Sequence, residues 1–299
     1  MTDIAAEPNP RRWFILAVVG TAFFMTILDV AIVNVAIPSI ETDLNIKRAT
    51  VQWVITAYAI TFGGFLLLGG RMADLLGRRR IFVVGIVLFT LASLACGLSK
   101  TADSAAILIA ARALQGLGAA IISPAALSIV TTTFSEGAER NKALGIWGAL
   151  GGSGAAAGVL FGGILVKYLG WEWIFFVNVP VGVLVFLLTE RIVPESRVED
   201  ALRRFDAAGA ITVTAGLAVL VYAISKAPDD GWVATRTILL LIAAAILLTA
   251  FIVIEVRGRA PLMPFGIFRN RSLSGANVVG FLMGMVIFAN FFVLTLYVQ

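Results

Sequence analysis

Nine apolar runs of about twenty residues or more occupy most of the 299-residue chain, at 13–36, 51–70, 81–99, 104–133, 143–166, 172–190, 207–225, 237–256 and 273–298. A run of about 20 apolar residues crosses a hydrocarbon core as a helix, and only helices and closed barrels satisfy their backbone polar groups there. The expected fold is therefore all-α, a polytopic membrane helix bundle. Composition leads to the same class: 60% of residues are hydrophobic and 14% charged, against about 25% charged in a soluble domain. The first run is too long for a signal-peptide core and is expected to be a retained helix. Turn signals separate the runs at Pro38, Arg78 to Arg80, Ser99 with Lys100, residues 135–142 and Pro228 to Gly231.

The net charge of +5 does not point to nucleic acid, because the basic residues sit in short connections between apolar runs. With the N-terminus on the cytoplasmic side, sixteen Lys and Arg residues fall inside, six outside and Arg112 within a helix. The positive-inside rule selects that orientation. Absence of histidine excludes a Ser-His-Asp triad and a His proton shuttle, and the single Cys96 excludes a thiolate cluster within the chain. No Walker A pattern is present. The chain is read as a non-enzyme without a cofactor, and any proton work falls to carboxylates.

Two ionisable residues stand deep in apolar runs, Asp29 in the first and Arg112 in the fourth. Each costs about 2.5 to 3.5 kcal/mol at a helix centre, so a packed interior or an aqueous cavity must receive it. Burial favours a neutral carboxyl and water or a neighbouring cation favours the ionised one, so a carboxyl that alternates between such settings carries a proton. Asp29 is the candidate for that task, the alternative being a hydrogen bond within the bundle to Asn34 or to a polar group on another helix. Arg112 keeps its proton at any working pH and can only pair or tune.

Several motifs, in order, resemble the major facilitator superfamily, specifically its fourteen-helix drug:proton antiporter branch. LDVAIVNVAIP, Leu28 to Pro38, is similar to the branch's first-helix motif and puts Asp29 on the acidic position. GGRMADLLGRRR, Gly69 to Arg80, resembles the family's loop between helices two and three, with Gly70, Asp74, Gly77, Arg78 and Arg79 on its motif positions. The resemblance implies that this loop latches two transporter halves together. LIAARALQG, Leu108 to Gly116, is similar to the fourth-helix motif and assigns Arg112 and Gln115 to proton coupling. In the fifth run, Gly154, Gly158, Gly162 and Gly163 match the glycines of the antiporter motif, while Val159 stands where that motif has proline. WEWIFFVNVPVG, Trp171 to Gly182, resembles the start of the sixth helix, with Glu172 where the family usually has a basic residue and a tryptophan pair suited to the outer interface. RFDAAGA, Arg204 to Ala210, and PLMPFGIFRNRSLSGAN, Pro261 to Asn277, resemble the starts of the two extra helices and of the second half.

The implied organisation is a cytoplasmic N-terminus at 1–12, a six-helix domain at 13–190, a cytoplasmic loop at 191–206, two linker helices at 207–256 and the start of a second transporter domain at 257–299. The expected activity is proton-coupled antiport of small hydrophobic or cationic compounds, multidrug efflux across the cell membrane driven by the proton motive force. The alternatives are a metabolite transporter of the same superfamily and a non-transporting membrane subunit. Expected partners are such substrates, protons, the lipid bilayer and a missing C-terminal half, the chain looking truncated after its ninth helix.

Overall fold

The computed structural model describes residues 10–197, 206–258, 263 and 265–298, without the side chains of 207 and 287–298. Ten α-helices follow one another: α1 (Arg12–Asp43), α2 (Arg48–Leu76), α3 (Arg78–Leu98), α4 (Ala105–Thr133), α5 (Ala138–Tyr168), α6 (Trp173–Phe176), α7 (Asn178–Ile192), α8 (Ala207–Asp230), α9 (Thr235–Arg257) and α10 (Arg271–Val298), the last preceded by a 3₁₀ turn at Phe265–Arg269. Eight spans among the described residues are long and apolar enough to cross a membrane, α6 with α7 counting as one. The chain is a multi-pass membrane protein.

The helices overrun several expected boundaries. Pro38 does not end α1, which continues to Asp43. A proline forfeits only the one backbone bond to the carbonyl four residues before it, here Asn34, a loss a membrane helix tolerates. Pro228 likewise lies inside α8, and the stop is Gly231, whose φ of 99° few other residues adopt. Arg78 to Arg80 form the first turn of α3, so the connection before it reduces to Gly77, at φ 110°. The sixth run is broken at Val177. Pro180 has no N–H to donate to the carbonyl of Phe176, so the ladder lapses there and restarts at Asn178.

The tightest neighbours are α2 with α4, α3 with α4, and α1 with α5, while the α8–α9 hairpin lies along α2. Thr214 Oγ1 donates to the Gly64 carbonyl at 2.6 Å across that last contact. Two apolar clusters fill the α1–α7 interior. One gathers Ile15, Val19, Phe82, Phe89, Ile122 and Phe134. The other gathers Ile32, Ile40, Val54, Cys96, Leu108 and Phe175. On α1, Asp29 falls between Met25 of the first cluster and Ile32 of the second. The polar site therefore occupies the seam between two oily layers.

Candidate functional site

Asp29 and Arg112, 83 residues apart, meet in that seam, with Arg112 Nη1 donating to Asp29 Oδ2 at 2.6 Å. Both side chains are buried, at 0% and 2% exposure. Asp29 Oδ1 accepts two further bonds, from Gln115 Nε2 at 2.7 Å and Asn178 Nδ2 at 3.0 Å. Arg112 has other holds: Nη1 also donates to Gln115 Oε1 at 2.6 Å, Nε donates to the Val54 carbonyl at 3.0 Å, and the guanidinium lies 4.3 Å from the Tyr58 ring centroid. Gln115 Nε2 reaches Ser93 Oγ at 2.7 Å, whose hydroxyl donates to the Phe89 carbonyl. Five helices thus converge on one carboxylate and one guanidinium.

Local sequence explains the convergence. Arg112 and Gln115 are three residues apart on α4 and share a face. Gly116 lets that face close onto α2: a Cβ there would collide with the Tyr58 carbonyl and Thr61 Oγ1, so only a bare backbone brings Val54 within reach of Arg112. Gly118 does the same against α3, where a Cβ would stand 2.7 Å from the Phe89 nitrogen. Asn178 is carried to Asp29 on the first turn of α7, which packs beside α1 and α3.

Of the residues the sequence grouped for coupling, Asp29, Arg112 and Gln115 are brought together. Asn178 and Ser93 were missed, although a lone asparagine inside the apolar WIFFVNVPVG segment was a signal for the former. Asn34 takes no part; its amide donates to the Val30 carbonyl on its own helix.

The second group lies at the other end of α2 and α3. Asp74 Oδ1 accepts from Arg78 Nη2 at 3.1 Å, one turn on, across the Gly77 connection. Gly70 faces Pro124 of α4, with room for a Cβ at 3.4 Å. The segment after α7 closes on this loop. Glu195 accepts the backbone N–H groups of Arg79 and Arg80 at 3.1 and 3.2 Å, and the Ser196 carbonyl accepts that of Arg78 at 2.9 Å. A carboxylate 115 residues distant thus serves as the N-cap of α3, where helix amides lack partners and negative charge is favoured. Residues 198–205, with Arg203 and Arg204, lie outside the described residues, as do Arg259, Pro261, Leu262, Pro264 and Gln299.

Three of the four motif glycines of α5 form a seam with α1. Added Cβ atoms would stand 3.2 Å from Ile27 at Gly154, 2.6 Å from Ala31 at Gly158 and 3.0 Å from Ile32 at Gly162. Gly163 lies off this seam: among the described residues nothing stands within 4 Å of its Cβ position, which points about 100° away from that of Gly162. Val159 is exposed, so the seam closes without the motif proline.

On the opposite side of the bundle, Lys100 donates to Glu172 Oε2 at 2.8 Å and lies 3.7 Å from Asp43. The hydrogen bond with Glu172 and the nearby Asp43 hold the Lys100 ammonium above its ordinary pKa. Trp171 is buried and donates Nε1 to Asp43 at 2.7 Å, so of the expected interfacial pair only Trp173 faces outward.

A family model for the Major Facilitator Superfamily matches residues 19–299. Among curated proteins, the puromycin resistance protein pur8 of Streptomyces alboniger is 44% identical over 98% of the chain and 57% of its own length. The multidrug resistance protein Stp of Mycobacterium tuberculosis is 40% identical over 88% of the chain and 48% of its own. The cephamycin export protein CmcT of Amycolatopsis lactamdurans is 40% identical over 95% and 58%. The chain therefore spans about half the length of the curated relatives it matches. Among solved structures, the POT family transporter PepTSo superposes with a TM-score of 0.57 at 18% identity, covering 82% of this chain and 52% of that one. A D-xylose-proton symporter gives a TM-score of 0.51 at 15% identity, over 80% and 66%. These two likenesses concern the fold.

Proposed function

The chain belongs to the Major Facilitator Superfamily, and from that premise we propose that the whole protein is a proton-coupled antiporter exporting small hydrophobic or cationic compounds across the cell membrane, with its N-terminus cytoplasmic. Residues 13–190 supply the first six-helix half, 207–256 the linker helices and 257–299 the start of the second half. The protein moves its substrate without chemically altering it. Relatives named for puromycin resistance, multidrug resistance and cephamycin export support the export class.

The observation that carries the coupling is the wholly buried Asp29–Arg112 pair. Stranding one member of such a pair costs about 3 to 5 kcal/mol, so a proton on Asp29 is tolerated only if Arg112 keeps other partners. It has them in the Val54 carbonyl, Gln115 Oε1 and the Tyr58 ring. Protonation turns one Asp29 oxygen from acceptor to donor and discharges the other, so it releases the Arg112 donor at Oδ2 or the Gln115 and Asn178 donors at Oδ1 and weakens the bonds that remain. A proton arriving from outside thereby loosens a joint between α1, α4 and α7, and its release inward tightens the joint again. Asp74 and Arg78, at the cytoplasmic loop, hold the turn that the second half engages.

The test uses the whole protein in everted vesicles with an imposed proton gradient and tetraphenylphosphonium as probe. Asp29→Asn is expected to abolish gradient-driven uptake at unchanged membrane abundance. Undiminished uptake would remove Asp29 from coupling. Transport of a neutral sugar or amino acid in place of the lipophilic cation would overturn the substrate class.

A further inference from the structure

One helix touches both functional groups. The first residue of α7, Asn178, donates to the Asp29 carboxylate, and the segment just past its last residue, Glu195 with Ser196, holds three successive N–H groups at the start of α3. Fifteen helical residues at 1.5 Å each make α7 a rod of about 22 Å between these points.

Between its ends the rod is not pinned. Gly182 brings α7 against Thr90 of α3, where a Cβ would collide with the threonine hydroxyl. Yet Thr90 Oγ1 and Thr189 Oγ1 are both buried without a hydrogen-bond partner. Among the described residues no side-chain hydrogen bond joins residues 179–194 to another helix. Packed helices without a polar lock can shift by small translations, and such shifts relay a local event.

Resting on Asp29 being the proton carrier, we propose that Asn178 and Glu195 are positioning residues of the coupling step, and that α7 is the strut by which the protonation state of Asp29 sets the order of the cytoplasmic 74–80 loop. With Asp29 ionised, Asn178 is held, α7 is seated, and Glu195 caps α3 and fixes Arg78 beside Asp74. With Asp29 protonated, the Asn178 amide loses its charged acceptor, α7 is free to move along α3, and the Glu195 cap loosens. The ionisable groups around Asp29 are Arg112 on α4, Tyr58 on α2 and Cys96 on α3. Those facing Glu195 are Arg79 and Arg80, with Arg78 and Asp74 alongside.

The whole protein in lipid nanodiscs would be followed between pH 5.5 and 8.5 by two readouts. Isotope-edited infrared spectroscopy reports the Asp29 carboxyl, and hydrogen exchange, expressed as protection factors, reports the amides of residues 78–81. In the wild type, protection at 78–81 is expected to fall about tenfold or more as the carboxyl becomes protonated, since a hydrogen bond to a charged group is worth about that much. Asn178→Ala should leave a carboxyl that still titrates while its loop protection varies by less than about twofold across the range. Glu195→Ala, a partly exposed position at the membrane boundary, should lower protection at every pH, and Glu195→Gln should restore part of it through its remaining acceptor. A carboxyl that stays ionised throughout overturns both the proton carrier and the strut. A carboxyl that titrates while 78–81 stays constant, or follows pH equally in Asn178→Ala, overturns the strut alone; so does wild-type protection in Glu195→Ala.

Discussion

Replacing Arg112 by methionine and Asp29 by asparagine, singly and together, isolates the energy of the buried pair. Arg112→Met deletes the bonds to Asp29 Oδ2, Gln115 Oε1 and the Val54 carbonyl, and leaves a buried carboxylate with only the Gln115 and Asn178 amides. Stranding a buried charge costs about 3 to 5 kcal/mol, and the two surviving neutral bonds keep the loss near the lower end, at about 3 kcal/mol. Asp29→Asn leaves Arg112 with the Val54 carbonyl, Gln115 Oε1 and the Tyr58 ring, for a loss of about 2 to 3 kcal/mol. The double variant contains no stranded charge, so its loss is expected at about 2 kcal/mol rather than the sum of about 5 to 6, a coupling of about 3 to 4 kcal/mol. Reversible unfolding in mixed micelles, titrated with a denaturing detergent, measures all four corners of the cycle. Losses that add to within about 0.5 kcal/mol would refute the pairing, because independent sites add to that tolerance.

The other expectations are simpler. Gly158→Leu should destabilise the α1–α5 seam by about 1 to 3 kcal/mol through overpacking against Ala31 and the Leu28 carbonyl, while Gly163→Leu should be near neutral; thermal unfolding in detergent compares the two. Asp74→Ala should slow turnover more than it weakens substrate binding, because Asp74 sits at the loop and not in the buried site; paired efflux and binding measurements check the split, and a pure affinity loss would oppose a gating role. Lys100, raised by Glu172 and Asp43, contributes its pairing in full below the unfolded lysine value and loses it only as pH rises through the higher folded one. Lys100→Ala should therefore lower stability equally at pH 5 and pH 8, by less than about 1 kcal/mol, as melting at the two pH values would report.

Much of this molecule was readable from residues alone because lipid leaves few choices: long apolar runs must be helices, and a charge inside one must have a partner. Asp29 and Arg112 stood out as anomalies for that reason. What one-dimensional reading missed was mostly long-range. That each is the other's partner depends on how α4 seats against α2 and α3 beside α1, a close approach that Gly116 and Gly118 permit and that only three dimensions reveal. Asn178 was overlooked because its partner Asp29 lies 149 residues away, on α1. Glu195 was invisible for the opposite reason: in a charged connection one more glutamate carries no signal until the start of α3 is found beside it. The Gly162–Gly163 pair shows the remaining limit, since a motif names both residues while only Gly162 lies on the seam with α1.

The central claim, that the carboxylate held by Arg112 is where proton and substrate exchange, is tested most directly by substrate-induced proton release from the purified whole protein in weakly buffered detergent. Adding a transported lipophilic cation to protein equilibrated at a pH where Asp29 holds a proton should release H⁺ in proportion to the protein present, and Asp29→Asn should release none while keeping its fold. Equal release from both, or none from the wild type across the pH range in which it transports, would contradict the account.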